Sequence, residues 1–114
     1  MAYAHPHRLA PRALLRIKEF IDAHLHEEID LSTLAGLANV SRFHFARLFR
    51  ATVGVSAMAY VEQCRMERAQ ALILAGELQL AQVASLVGYD DPSYFTRRFR
   101  HRCGQTPSAW ARAH

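Results

Sequence analysis

The chain repeats itself, and that limits its folds more than any other feature. "LSTLAGLANVSRFHFARLFRATVGVSAMAY", beginning at Leu31, lies over "LAQVASLVGYDDPSYFTRRFRHRCGQTPSAW", beginning at Leu80. Early positions pair 49 residues apart (Leu31/Leu80, Ala35/Ala84, Val40/Tyr89). Later ones pair 50 apart (Phe49/Phe99, Arg50/Arg100, Gly54/Gly104, Tyr60/Trp110). One residue is therefore inserted between Val40/Tyr89 and Ser41/Asp91, where a turn is expected. Two copies of one supersecondary unit must be accommodated.

Each copy reads as a short helix, a tight turn, a second helix and a stop. Leu31, Leu34, Ala35 and Ala38 recur at helical spacing. They are followed by Asn39, which aligns with Gly88. Asparagine and glycine are the residues that most readily take positive φ, so both copies place a left-handed residue at the same point. Ser41 in one copy and Asp91-Pro92 in the other then supply an N-cap, the second with proline at the first helical position. Gly54 and Gly104 suit left-handed C-caps, and Ser56-Ala57 and Thr106-Pro107 start further helices.

The segment from about Ala57 to Ala75 carries Val61, Cys64, Ala69, Leu72 and Ile73 and stops at Gly76. At 1.5 Å per residue it spans roughly 27 Å, a stiff connector between the copies. Upstream, "PRALLRIKEFIDAHL" sets Leu14, Ile17, Ile21 and Leu25 on one face behind Pro11. No segment alternates as a strand does. The expected fold is all-α, with two homeodomain-like helix-turn-helix lobes joined by a long helix, about seven helices in total. The expected organisation is a flexible segment at 1–10, a first lobe at 11–55, the connector at 56–76 and a second lobe at 77–114.

Helical phase sorts the mixed sequence "SRFHFARLFR" at 41–50. With successive residues turning about 100°, Phe45, Leu48 and Phe49 form an inward stripe. Phe43, Arg47 and Arg50 point the other way, with Ala46 at the edge. In the second copy Phe95 and Phe99 turn inward and Ser93, Arg97 and Arg100 outward, with Thr96 at the edge. Arg98 takes the place of Leu48, so its stem should flank the core with its head in solvent. A single basic helix face is most simply a solvated face. Two equivalent arginine pairs behind two equivalent turns match the helix-turn-helix plan instead, in which the second helix enters the DNA major groove. The expected recognition helices are 41–53 and 92–103.

Charge agrees with an anionic partner: the formal net charge is +4 and the pI about 9.6. Thirteen of the fourteen cationic residues are arginine, which suits bidentate contact with phosphate or guanine. Arg97, Arg98, Arg100 and Arg102 fall within six positions, whereas Glu19, Asp22, Glu27, Glu28 and Asp30 lie in the first third. No apolar run approaches the roughly 20 residues of a membrane span, and "MAYAHPHRLAPR" lacks a secretory apolar segment. A soluble, cytoplasmic protein with no membrane partner is expected. Cys64 and Cys103 are too few for a disulfide framework. The histidine pairs His5/His7 and His24/His26 point to different sides of a helix, so neither metal nor cofactor is expected.

The same residues resemble the AraC/XylS-type transcription regulators over about residues 14 to 112. The second copy carries the resemblance most fully, in Val83-Ala84, Gly88-Tyr89, Ser93-Tyr94-Phe95, Arg97, Phe99-Arg100, Gly104 and Thr106-Pro107-Ser108. Ser41, Phe45, Arg47, Phe49-Arg50, Gly54 and Ser56 match in the first, and Arg65, Ala69 and Leu72 in the connector. The resemblance implies two recognition helices in successive major-groove segments of double-stranded DNA. It implies base contacts from Arg42, Phe43, Ala46 and Arg47 in one lobe and Ser93, Tyr94 and Arg97 in the other. Phosphate contacts would come from Ser41, Arg50, Thr96, Arg98 and Arg100. It further implies an activator that touches RNA polymerase. Relatives often carry a sensing domain ahead of this unit, so the expectation is either a complete small regulator or the DNA-binding end of a longer parent chain.

The sequence departs from the family pattern at Ala111, where arginine is usual and Arg112 stands one place late. A second function class is a protein-interaction module that binds polymerase or a regulatory partner with vestigial DNA binding. A third is a thiol enzyme using Cys64 or Cys103, but neither has a base or metal ligand beside it in sequence.

Overall fold

The computed structural model describes residues 7–114, which form seven helices and no strand. They are α1 (Pro11–Ala23), α2 (Leu31–Leu37), α3 (Arg42–Val53), α4 (Ala57–Ala75), α5 (Leu80–Leu86), α6 (Pro92–Cys103) and α7 (Pro107–Ala113). The chain divides into two compact units. The first holds His24 and the described residues before it together with Ile29–Val61; the second holds Leu25–Glu28 and Glu62–His114. The division falls inside α4. Of the segment 1–10 expected to be flexible, residues 1–6 lie outside the described residues. Leu9 is buried, and its amide donates to Thr52 Oγ1 at 2.9 Å.

In the first unit Pro11 opens α1, and Ile17 and Ile21 are fully buried. Leu25 is buried too, but beyond the helix: the chain leaves the α1 helix at His24, whose amide donates to Ile21 O and whose ring stacks on Phe20. The same i, i+4 spacing that continues a helix does not reveal where a cap ends it. Asp30 caps α2 by accepting the Thr33 amide at 2.8 Å, and this holds its carboxyl below the usual range. At the turn Asn39 has φ 62°, and the Val40 amide closes back onto Ala35 O. Ser41 Oγ then accepts the His44 amide. α3 buries Phe45, Leu48 and Phe49 and ends at Gly54, φ 96°. Phe49 meets Tyr60 edge-on at 5.7 Å.

The second unit repeats these solutions with different residues. Gly88 has φ 93°, and the Tyr89 amide closes onto Ala84 O, as Val40 does onto Ala35. Asp91 caps α6 by accepting the Ser93 amide. Phe95 and Phe99 are buried beside Val83, Ala84 and Val87, and Phe99 meets Trp110 edge-on as Phe49 meets Tyr60. α6 ends at Gly104, φ 81°.

The repeat also extends upstream of Leu31. Arg16 of α1 donates to Leu37 O at 3.3 Å, and Arg65 of α4, 49 residues later, donates to Gly88 O at 3.1 Å. α4 therefore plays two parts: its start closes the first unit, and its remainder opens the second as α1 opens the first. That explains why one stripe along α4 describes it poorly. Val61 and Ala69 are buried as expected, and Leu72 and Ile73 pack against the second core. Cys64 is only half-buried, while Ala57 and Met66 are buried without having stood on the expected stripe.

Candidate nucleic-acid interface

The stripe that fixes each recognition helix to its core leaves the opposite face free. On α3, Phe45 and Phe49 have no exposed area, whereas Phe43 is 66% exposed. Arg42, Arg47 and Arg50 are exposed, and Ala46 is half-buried at the margin. A phenylalanine in water forfeits the gain of burial unless a partner covers it. Here the Arg42 guanidinium already lies 5.0 Å from the Phe43 ring centre. On α6, Ser93, Arg97 and Arg100 are exposed and Thr96 is half-buried. Tyr94 is 47% exposed, with the Arg97 guanidinium 5.6 Å from its ring centre. Each helix thus presents an exposed ring with an arginine laid over it, together with further exposed arginines: Arg47 and Arg50 on α3 and Arg100 on α6.

The electrostatics at the start of α3 favour an anion. There the cap is the neutral Ser41 and the first turn has no acidic residue, so the partial positive charge of its N-terminal amides is not offset. At the start of α6 the Asp91 carboxylate caps the amides and offsets theirs. Ser41 Oγ accepts one of the α3 amides, and its hydroxyl proton remains free to donate.

Arg98 is the departure. Its head was expected in solvent, but Nε and Nη2 donate to the two oxygens of Glu62 at 2.7 and 2.6 Å. Arg102 Nε donates to the same carboxylate at 2.9 Å, and the Tyr89 hydroxyl stands 3.4 Å from it. Chiefly through the Arg98 hydrogen bonds, the Glu62 carboxyl is held down at about 2. The Tyr89 phenol is pushed up to about 12, first by burial and then by the neighbouring carboxylate. Sequence reasoning did not single out Glu62 and gave Arg65 and Arg102 no role in the site. The available signal was Arg98 itself, since an arginine in the place of a core leucine needs an anion within reach.

Arg65 completes this side of the second unit. Nη1 donates to Gly88 O and Nη2 to Glu27 O at 2.8 Å, while its buried Nε has no partner. Cys103 accepts from Gln70 Nε2 at 3.3 Å, and burial raises its thiol pKa. Among the described residues no three His, Cys, Asp or Glu side chains converge as a metal site would need, and no helix is long and apolar enough to cross a membrane.

Residues 34–113 match the family model described as a helix-turn-helix domain. The chain is 34% identical over 91 residues to the MmsAB operon regulatory protein of Pseudomonas aeruginosa, covering 80% of this chain and 30% of that protein. It spans about a third of the length of the curated relatives it matches. Among solved structures, the C-terminal domain of AraT, a response regulator from Geobacillus stearothermophilus, superposes with a TM-score of 0.86. The two are 30% identical over 94% of this chain and 88% of that one. The DNA-binding domain of the global transcriptional factor AdpA, solved in complex with a target DNA, gives 0.82 at 31% identity, over 89% and 91%.

Proposed function

This chain belongs to the AraC/XylS-type family of helix-turn-helix regulators, and on that premise we propose that it is a sequence-specific, double-stranded DNA-binding transcription regulator. In this reading α3 and α6 each enter a major groove. Arg42, Phe43, Ala46 and Arg47 meet base edges in one half-site, and Ser93, Tyr94 and Arg97 in the other. Arginine grips guanine bidentately, Phe43 meets a thymine methyl, and the small Ala46 and Ser93 allow close approach. Ser41, Arg50, Thr96, Arg98 and Arg100 hold phosphates. Arg98 is the weakest of these, because Glu62 already occupies two of its donors.

The regulatory sense is activation, through contact with RNA polymerase in the cytoplasm, and a sensing domain precedes this unit in the parent chain. The chain works by binding alone, with no cofactor or catalytic step. The observation that carries the reading is the paired outward placement of Arg47 with Arg50 and of Arg97 with Arg100, opposite buried phenylalanine pairs.

Selection from random duplexes tests it: one preferred sequence with two separable halves is expected. Arg47→Ala and Arg97→Ala should each weaken binding to that site by about 1–3 kcal/mol and relax the preference in one half only. A uniform loss across all duplexes would reassign both residues to phosphate. A log affinity that does not change with log salt would favour a protein-interaction module instead.

A further inference from the structure

Three side chains set the second unit apart from the first. Where Glu62, Arg98 and Arg102 meet, the repeat places Ala13, Leu48 and Thr52 in the first unit. All three charges are present in one copy and all three absent from the other, as expected of a network that works only as a set. In the first unit Leu48 is 7% exposed, and Thr52 binds the Leu9 amide and donates to Leu48 O. That helix is fixed by apolar packing and one neutral contact. In the second unit the carboxylate, 17% exposed, takes both Arg98 donors and one from Arg102, a full turn further along α6. It also lies beside the Tyr89 hydroxyl in the turn before α6.

Resting on the reading above, we propose that Glu62 is a positioning residue for base readout by α6. It touches no DNA. By holding arginines at two successive turns of the helix, along its edge and away from Arg97 and Arg100, it fixes the rotation of α6 about its own axis. Charge-assisted bonds in fork geometry are directional, whereas packing of round apolar groups tolerates small rotations. A few degrees of roll moves the tip of a long arginine by a sizeable part of a hydrogen-bond length. The second half-site should therefore depend on Glu62, and the first should not.

The test compares wild type, Glu62→Gln and the control Glu67→Gln, which removes a carboxylate from the exposed side of α4. Each is measured against the selected site and against versions with one half scrambled, at a temperature where the helical circular dichroism of all three agrees. The half read by α6 is the one whose preference relaxes in Arg97→Ala. The readout is the ratio of affinities for intact and scrambled halves, which does not depend on the fraction folded.

Glu62→Gln is expected to lower this ratio about fivefold or more for the α6 half, a substantial part of what a good bidentate base contact supplies. The other half, and Glu67→Gln throughout, should be unchanged. Equal flattening of both halves, or none, overturns the proposal. So does a uniform gain on all duplexes, which would make Glu62 a counter-ion that withholds its arginines from phosphate. If wild type prefers no sequence at all, the reading of the protein as a sequence-specific regulator fails, and this proposal with it.

Discussion

Gly88 and Asn39 hold the same left-handed backbone for different reasons. Both positions need positive φ, but a Cβ built on Gly88 would run into Leu25 O and lie 2.5 Å from Arg65 Nη1. The sequence alone makes the two positions equivalent, since both residue types satisfy the turn. It could not show that the Leu25 carbonyl and the Arg65 guanidinium lie against the Gly88 backbone. Gly88→Ala should thus cost the strained φ plus a backbone displacement, about 2 kcal/mol or more. Asn39→Gly should cost well under 1 kcal/mol. Urea denaturation of the two variants beside wild type measures this, and comparable midpoint losses would refute it. The inward and outward phenylalanines, by contrast, were legible, because Phe43, Phe45 and Phe49 differ only in helical phase. The anchoring of Arg98 was not, because its partner sits 36 residues away on another helix.

At the scale of the elements, caps and turns followed from local chemistry. Ser41, Asp91, Gly54 and Gly104 each act on the backbone within a few residues. The faces of α4 did not follow, because that helix serves a different core at each end. The Glu62 network gives α4 and α6 an acid-sensitive link. The Glu62 carboxyl titrates near 2 in the folded chain and near 4.3 when unfolded. A depressed folded value means that its stabilisation is complete above about pH 5 and disappears as the pH falls toward 2. The full shift would correspond to about 3 kcal/mol. Partial exposure of Arg98 and solvent screening reduce that to about 1–2 kcal/mol. Stability of wild type measured by urea titration should fall over that window, and Glu62→Gln should be less stable at pH 7 but lose less on acidification. Parallel pH profiles for the two proteins would refute the link.

Over the whole molecule, the net charge of +4 is not shared between the units. The first holds seven cationic and three acidic residues, and the second seven of each, because Glu27 and Glu28 belong to it. In the linear sequence those two carboxylates stood with the first third, so the imbalance appears only once the fold assigns them. In the second unit, moreover, Arg98 and Arg102 are held by a carboxylate, while on α3 Arg42, Arg47 and Arg50 all stand exposed. Affinity that ignores sequence comes from phosphate neutralisation, and each phosphate contact adds about 0.9 to the slope of log affinity on log salt. The first unit should therefore carry most of the non-specific binding. On a scrambled duplex Arg42 and Arg47 lack their matching base edges and pair with phosphates alongside Arg50. Replacing the three together by alanine should therefore abolish most binding to such duplexes between 50 and 200 mM salt and flatten the slope by about 2–3. Arg97→Ala with Arg100→Ala should leave most of that binding in place and reduce chiefly the preference for the selected site. Fluorescence anisotropy across that salt range separates the two outcomes. A larger non-specific loss from the second pair would mean that the neutral unit, despite its balanced charge, makes the greater number of phosphate contacts.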